Sequence, residues 1–308
     1  VSIVFSLFVS GLHFSYSLTA IVGLLTLFVM SRIPVGRDFQ LGLILFLSIM
    51  SICLLFLAVG FSQMTLVEKY NYTNSNVMGI VALFVNAYLM IMINMNRAKG
   101  RFVHLNIIVA VFGFTTITVF GCRSAQLAFL VFIVITYLFP SRFWGKKRTR
   151  AALIAAMVIG FIFPFIYIKM SRIGFDDISF PLVNKPWFSG RDVLWEQGIN
   201  WVKESPLSLL FGVGPNYSDI TYGFNYHNSY LSVLMNFGIP AFAAYYFSVE
   251  RSAEASVLCT DDRRARSMQL ALICMILVVS LVETTIPATT FIWLYGMCFI
   301  PLGERKSG

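Results

Sequence analysis

The residues in this sequence best suited to chemistry are one histidine and two arginines, separated by long apolar stretches. His227 is one of three histidines in the chain and stands beside Asn228 at the start of an apolar run. An imidazole is the usual general base for a hydroxyl group near neutral pH. A histidine at a membrane interface is also commonly a hydrogen-bonded structural residue, so the sequence leaves both roles open for His227.

Arg191 and Arg123 are the cations that could bind an anion for such a base. Arg191 falls in the first turn of a predicted helix, where a cation opposes the helix dipole. Together with the free N–H groups of that turn it can hold an anion, and phosphate is the anion we expect at a membrane surface. Arg123 lies in the short turn 121–124. It is either a snorkelling interfacial arginine or a second ligand for the same anion.

The segment 211–230 is rich in glycine and tyrosine. Gly212, Gly214 and Pro215 predict a tight turn in which the backbone can approach a ligand closely. Tyrosines recur along the segment at Tyr217, Tyr222, Tyr226 and Tyr230. They either stack on sugars or lie at the membrane interface, where tyrosine is enriched in any case.

Membrane-spanning helices are the elements that must position these side chains. The chain is 58% hydrophobic and 12% charged, with a mean hydropathy of +0.78, whereas a soluble domain carries roughly 25% charged residues. Apolar blocks of about 17 to 25 residues recur, which is the length a helix needs to cross the hydrocarbon. We predict spans near 41–61, 77–93, 105–121, 125–140, 151–168, 229–248, 268–282 and 288–302. One long helix or a tight pair in the first thirty residues completes roughly nine or ten transmembrane helices.

Lysine and arginine are distributed unevenly between the two sets of alternate loops. One set carries 16 of the 23 basic residues and the other carries 7, five of which lie in one long loop. Because long loops contribute little to orientation, the positive-inside rule places the C-terminus in the cytoplasm and the loop outside. This bias also explains the net charge of +9, so we expect no nucleic-acid partner. The predicted regions are N-terminal helices (1–168), the outer loop with the candidate site (169–228) and C-terminal helices (229–308).

Part of the outer loop is predicted to be a helix over 189–204. Ser189 is a suitable N-cap, and Pro206 ends the helix. An apolar stripe runs along one face at Trp195, Ile199 and Val202. We expect this helix to lie along the membrane surface with its tryptophans at the level of the lipid headgroups.

Other chemistries lack their sequence motifs. The chain has no P-loop, no GxGxxG, no HExxH and no zinc-type Cys/His spacing. It also lacks the Asp-x-Asp pair that would hold a metal-bound nucleotide sugar. The five cysteines indicate no disulfide framework and are interpreted as small packing residues. We therefore expect neither a metal nor a cofactor.

Several motifs, taken in order, resemble those of the O-antigen polymerase and ligase superfamily. They are Gly121–Ala125 (with Cys122 where serine is common), Ser189–Trp195, the Gly212–Gly214 turn, and His227–Leu231. The resemblance implies an all-α, GT-C-like integral membrane fold with one long periplasmic loop. The chain is shorter than usual for the family and begins with Val1, so we expect either a fragment lacking N-terminal helices or an alternative start codon.

The resemblance also implies a metal-independent glycosyltransferase in the bacterial cytoplasmic (inner) membrane. Its donor and acceptor would be glycans on undecaprenyl diphosphate, with a flippase and a chain-length regulator as partners. Arg123 and Arg191 would bind the diphosphate, and His227 would activate the acceptor hydroxyl. Further substrate contacts are predicted at Asn228, Trp195, Gly212, Gly214, Tyr226 and Tyr230.

Three functions remain to be distinguished. A polymerase would join lipid-linked repeat units into O-antigen, capsule or exopolysaccharide. A ligase would move the finished glycan onto lipid A core or onto protein, using the same donor and the same motifs. A transporter of the same lipid predicts charged or broken helices near the middle of the membrane, and the sequence shows neither.

Overall fold

The computed structural model describes residues 37–64, 75–95, 103–173, 179–180, 185–186, 190–212, 226–258, 262–283 and 296–300, and these are almost entirely helical. The elements in chain order are α1 (Arg37–Gln63), α2 (Ser75–Met95), α3 (Val103–Val119), α4 (Arg123–Ile133), a π-helical segment (Val134–Leu138), a 3₁₀ turn (Ser141–Phe143), α5 (Lys146–Ser171), β1 (Ser179–Phe180), β2 (Lys185–Pro186), α6 (Arg191–Glu204), α7 (Pro206–Phe211), α8 (Ser229–Leu258) and α9 (Arg263–Ser280). The two strands form one antiparallel pair of two residues each. The predicted all-α class is therefore confirmed.

Four of the described helices are long and apolar enough to cross a membrane. They contain the stretches Gly42–Gly60, Ser75–Met95, Lys146–Ser171 and Ser229–Leu258. Two shorter apolar helices cover His104–Val119 and Arg123–Leu138. Large apolar side chains such as Phe46 and Phe56 are exposed along α1, a surface that suits lipid rather than water. The chain is a multi-pass integral membrane protein.

The predicted spans agree with the helices where the two can be compared. Seven of the eight spans predicted between residues 41 and 302 coincide with α1–α5, α8 and α9. The helix or helix pair predicted in the first thirty residues lies outside the described residues. So does most of the span 288–302, of which only 296–300 is described. The total of nine or ten spans stays a prediction, as does the division into 1–168, 169–228 and 229–308.

The described helices belong to two compact units. The loop unit comprises Val1–Ile33, Lys146–Cys259 and Ile276–Pro301, and the bundle unit comprises Pro34–Gly145, Thr260–Met275 and Leu302–Gly308. The loop unit therefore contains α5 to α8 and the last turn of α9. The bundle unit contains α1 to α4 and the rest of α9.

In the bundle unit, α1, α2 and α3 pack around a buried asparagine. The Asn86 side-chain oxygen accepts a hydrogen bond from the Ser51 hydroxyl at 2.8 Å, and its amide donates to the Ala82 carbonyl. Gly113 of α3 lies so close that an added Cβ would be 2.8 Å from Asn86 Cβ. Small residues and interhelical hydrogen bonds of this kind hold membrane helices together, because lipid provides no hydrophobic driving force between them.

In the loop unit, the loop helix α6 packs onto the protein through Trp195 and Ile199 of its apolar stripe. Trp195 is fully buried in a cluster with Tyr226, Leu231 and Met235. Side chains of α5 and α8 cover Trp195, and Ile199 is partly buried beside it, so protein rather than lipid surrounds this part of the stripe. The level of Trp195 relative to the lipid headgroups stays a prediction.

The N-terminus of α6 also differs from the prediction. The N-cap is Gly190, in the left-handed conformation with φ +77°, and no side chain caps the helix. A positive φ is readily adopted by glycine, which explains why the chain turns into the helix at Gly190 and not at Ser189. The helix ends at Glu204, and Pro206 then begins α7 behind a Ser205 N-cap, as its fixed φ allows.

Helix α8 is broken at Gly238, which the sequence analysis did not predict. Gly238 (φ 76°, ψ −178°) and Gly212 (φ 76°, ψ 176°) both occupy a backbone region that is essentially reserved for glycine. A Cβ on Gly238 would lie 2.3 Å from the Leu210 carbonyl oxygen, and one on Gly212 would lie 2.3 Å from the Asn236 carbonyl carbon. The end of α7 therefore packs backbone to backbone against the break in α8.

We expect Gly238→Ala to destabilise the protein by at least about 1–3 kcal/mol, the cost of this backbone conformation for a residue with a Cβ. The clash with Leu210 adds to that cost. Thermal unfolding of the purified chain in detergent measures the effect. Gly60→Ala is the matched control, because Gly60 lies in α1 and a Cβ added there would meet no atom within 4 Å. Equal melting temperatures for the two variants would contradict the close approach of α7 to α8.

Candidate active site

His227 lies at the junction between the outer loop and α8. It is the one described non-glycine residue with a positive φ, 48°. Asn228 follows as the N-cap of α8: its side-chain oxygen accepts the Leu231 backbone N–H at 2.9 Å, and its amide donates to the Leu281 carbonyl at 2.7 Å. A positive φ in a non-glycine residue is uncommon and is concentrated at functional sites. Here Asn228 fixes the backbone on the C-terminal side of His227.

The backbone on the other side of His227 is fixed by Trp195. The Trp195 indole N–H donates to the Tyr226 carbonyl at 2.6 Å. The Tyr226 ring packs on Gly198 of α6, where an added Cβ would lie 2.7 Å from ring atom Cε1. The peptide preceding His227 is therefore tied to the loop helix, and the residue following it is tied to the end of α9.

The carboxylate of Glu283 connects His227 to Arg191. His227 Nδ1 lies 3.0 Å from Glu283 Oε2, and Arg191 Nη2 donates to Glu283 Oε1, also at 3.0 Å. The side chain of Glu283 is only 7% exposed, Arg191 is 16% exposed and His227 is 31% exposed. The three groups thus form one largely buried network whose most accessible member is the imidazole.

The backbone at Glu283 strengthens this connection. Its carbonyl accepts the Ser229 hydroxyl at 3.1 Å, and its N–H donates to the Val279 carbonyl at 2.9 Å. Glu283 therefore sits in a turn directly after α9 that is fastened to the first residue of α8. Breaking a buried ion pair by removing one partner leaves an uncompensated charge. The turn and the Arg191 cation accordingly depend on one another.

The arrangement suits a base next to an anion site. With Nδ1 directed at a carboxylate, a neutral His227 carries its proton on Nδ1 and has Nε2 as the lone-pair nitrogen that can accept a proton. The negative charge of Glu283 stabilises the imidazolium that then forms. Arg191 has five N–H donors, and its contact with Glu283 uses one of them. The guanidinium can therefore bind further oxygen atoms while it keeps this contact.

Arg123 lies in the bundle unit, as the first residue of α4. Its turn contains Gly121 with φ 67°, and the N-cap Cys122 is fully buried. An added Cβ on Gly79 of α2 would be only 2.3 Å from Cys122 Cβ. The interpretation of Cys122 as a small packing residue fits this close approach. The convergence of Arg123 with Arg191 and His227 stays a prediction.

The other predicted substrate-contacting residues are mostly packed within the protein. Trp195, Tyr226 and Tyr230 are almost completely buried, and the Tyr230 ring abuts Gly160 of α5. Gly212 lies at the break of α8, while Gly214 lies outside the described residues together with Tyr217 and Tyr222. A direct contact between these residues and a glycan stays a prediction. In this structure Trp195 and Tyr226 support the backbone of His227.

Glu283 is the residue of the candidate site that the sequence analysis missed. One signal could have revealed it: between Asp262 and Glu304, Glu283 is the only acidic residue, and it directly follows a predicted span. A single carboxylate at the end of an apolar helix requires a cationic partner. Among the described residues, no group of three or more His, Cys, Asp or Glu side chains could hold a metal ion.

The fold and the site define a class: a multi-pass membrane protein in which a histidine, a carboxylate and an arginine meet where a loop joins a spanning helix. Residues 108–246 match the family model described as O-antigen ligase. This match confirms the resemblance to the O-antigen polymerase and ligase superfamily. The matched segment includes Arg123, Arg191 and His227, while Glu283 lies beyond it. No curated protein and no solved structure matches the chain.

Proposed function

We propose that this protein is a membrane glycosyltransferase that polymerises oligosaccharide repeat units carried on undecaprenyl diphosphate. The observation that carries the proposal is the contact of one buried carboxylate with both His227 and Arg191. It joins a proton acceptor and an anion-binding cation within a segment that matches the O-antigen ligase family. Polymerases and ligases of glycans both need this pair of functions.

In the proposed reaction, an acceptor hydroxyl attacks the anomeric carbon of the donor glycan. His227 Nε2 takes the proton of that hydroxyl, and a new glycosidic C–O bond forms. The bond between the anomeric carbon and the phosphate oxygen breaks, and its electron pair leaves with undecaprenyl diphosphate. Arg191, with Arg123 as the second cation, stabilises the departing negative charge. A single in-line displacement of this kind inverts the anomeric centre.

Glu283 has a supporting role in this scheme. Its carboxylate keeps the proton of the neutral imidazole on Nδ1 and offsets the positive charge that His227 gains. The lipid diphosphate already activates the sugar, so the scheme uses no nucleotide and no metal. The family resemblance implies the bacterial inner membrane, and the positive-inside bias supports a site on the periplasmic side. A flippase and a chain-length regulator stay predicted partners without support from individual residues.

A ligase is the second candidate, and the family match supports it as much as it supports a polymerase. A ligase would use the same donor and the same base but would accept lipid A core or a protein. A lipid transporter has one observation in its favour, the break in α8 at Gly238. That break is covered by the backbone of α7, which favours a structural origin for it.

Complementation distinguishes the candidates. We would express the protein and its Arg191→Ala and Arg123→Ala variants in a strain deleted for the gene and separate its surface polysaccharide on a gel. A polymerase predicts that each variant inserts normally and yields only single repeat units, because the diphosphate is no longer stabilised. Arg172→Ala is the matched control, since Arg172 is an exposed arginine near the loop that pairs with Glu196, and it should leave the ladder unchanged.

The other outcomes of the same gel are equally informative. Long chains that accumulate on the lipid carrier in the variants would identify a ligase. An unchanged ladder in Arg191→Ala would contradict the assigned role of that arginine. Loss of all lipid-linked sugar from the outer leaflet would indicate transport instead of transfer.

A further inference from the structure

A second polar site lies in the bundle unit, and the proposed function makes no use of it. A cavity of about 110 Å³ is lined by Asn94, Thr136, Tyr137, Ser141, Arg264, Ser267 and Met268. A single water molecule needs a cavity volume of only about 10–15 Å³. This cavity is therefore large enough for a ligand group with several heavy atoms. Six of the seven lining residues are polar, and none of them is acidic.

A buried amide orients the cation of this cavity. Arg264 Nη2 donates to Asn94 Oδ1 at 3.2 Å, and the same oxygen accepts from Asn106 Nδ2 at 3.0 Å. Asn94 Nδ2 in turn donates to the Tyr137 hydroxyl oxygen at 2.8 Å. No carboxylate among the described residues pairs with the Arg264 side chain. Asp262, two residues earlier, accepts from the Arg264 backbone N–H at 2.8 Å and caps α9. The guanidinium is therefore positioned at the cavity by a neutral partner.

The opposite wall of the cavity is the π-helical segment Val134–Leu138. Segments of this type are rare and often occur at functional sites. The wall is attached to α9 through Ser267, whose hydroxyl donates to the Ile135 carbonyl at 3.3 Å. The Thr136 hydroxyl is buried and has no hydrogen-bond partner in the described part of the chain. A buried hydroxyl without a partner is costly, and a ligand atom that accepts its hydrogen bond would remove that cost.

We propose that this cavity binds a phosphate group. The Thr136 and Ser141 hydroxyls and the Arg264 guanidinium are hydrogen-bond donors at this cavity, and a phosphate supplies several strong acceptor oxygens together with negative charge. The Arg142 and Arg263 side chains, next in sequence to Ser141 and Arg264, are exposed and add positive charge to this end of the unit.

The surroundings indicate where the phosphate comes from. Tyr137, Leu138 and Phe139 beside the cavity are exposed, as expected for side chains that contact lipid. The positive-inside bias assigns this end of the unit to the cytoplasmic side, where basic pockets between membrane helices bind anionic lipid headgroups. The phosphate group is therefore that of an anionic phospholipid, and a free phosphate ion is the other source of the same chemistry.

Binding to the purified full-length chain in a neutral detergent tests this site. We would titrate dihexanoyl phosphatidylglycerol, inorganic phosphate and the phosphate-free dihexanoylglycerol separately and follow the bound species by native mass spectrometry. We expect saturable binding of the phospholipid that Arg264→Gln weakens at least about tenfold, as loss of a charge-assisted hydrogen bond predicts. Thr136→Val, which is close in volume, should weaken it by about threefold.

Arg263→Gln is the matched control, because Arg263 is the adjacent exposed arginine and does not line the cavity. We expect less than a twofold change for it. Saturable binding of inorganic phosphate alone, with the same dependence on Arg264, would identify a free anion as the occupant. Equal effects of Arg263→Gln and Arg264→Gln, or equal binding of dihexanoylglycerol, would overturn the proposal. Neither result depends on whether the protein transfers glycans.

Discussion

Replacing His227 with alanine is expected to lower the rate of glycan transfer by about 10²–10⁴-fold, the usual contribution of a positioned general base. The acceptor hydroxyl would then lose its proton to water, which the site does not orient. Transfer rates on lipid-linked repeat units in isolated membranes measure the effect. Membrane insertion should be normal, because His227 is the most exposed member of its network.

His104→Ala is the matched control for this prediction. His104 is an exposed histidine near the start of α3, and the predicted topology puts it on the cytoplasmic side. Its loss should leave the transfer rate within about twofold of the wild type, as for surface substitutions away from a site. A His227→Ala protein that transfers glycan as fast as the wild type would remove the histidine from the reaction.

Replacing Glu283 with alanine is expected to impair both stability and transfer. Arg191 would be left partly buried without its counterion, which typically costs about 3–5 kcal/mol. The proton of the neutral imidazole would also no longer be held on Nδ1. Glu283→Gln also removes the counterion but keeps an amide oxygen that can accept a hydrogen bond from Arg191, so we expect a smaller fall in melting temperature than for Glu283→Ala and a transfer rate at least about tenfold lower. The difference in melting temperature between the two variants measures what the retained hydrogen bond contributes.

A matched acidic residue and a double-mutant cycle sharpen this prediction. Glu196 pairs with Arg172 at an exposed position, where such pairs contribute at most about 1 kcal/mol. Glu196→Gln should therefore be close to wild type in both measurements. Because Glu283 and Arg191 belong to one network, the effects of Glu283→Gln and Arg191→Ala on transfer should be non-additive. Strictly additive effects would contradict a functional link between the two residues.

The helices could be predicted from the sequence because each apolar block is long enough to cross the membrane and can form its backbone hydrogen bonds within one helix. The stripe of α6 was also predictable. Its surroundings were not, because periodicity shows that a face is apolar but not whether lipid or protein covers it. Trp195 is the clearest case, since its ring is buried against Tyr167 and Tyr226.

The candidate site could be predicted only in part. His227, Asn228 and Arg191 stood out by residue type and local context, whereas Glu283 is 56 residues beyond His227 and joins it only through tertiary structure. The break at Gly238 had a visible cue in Pro240, which weakens the helical hydrogen bonding around it. The sequence did not indicate that the backbone of α7 at Leu210 packs against this break.

The most direct test of the central claim is transfer by the purified protein. The full chain in lipid nanodiscs would be supplied with a lipid-linked glycan that is a single repeat unit long. The release of undecaprenyl diphosphate and the length of the glycan product would be followed together. We predict chains longer than one repeat, one diphosphate released per bond formed, and at least about 10²-fold slower formation of both products by the His227→Ala protein. Products of equal length and yield from the wild-type and His227→Ala proteins would contradict the account.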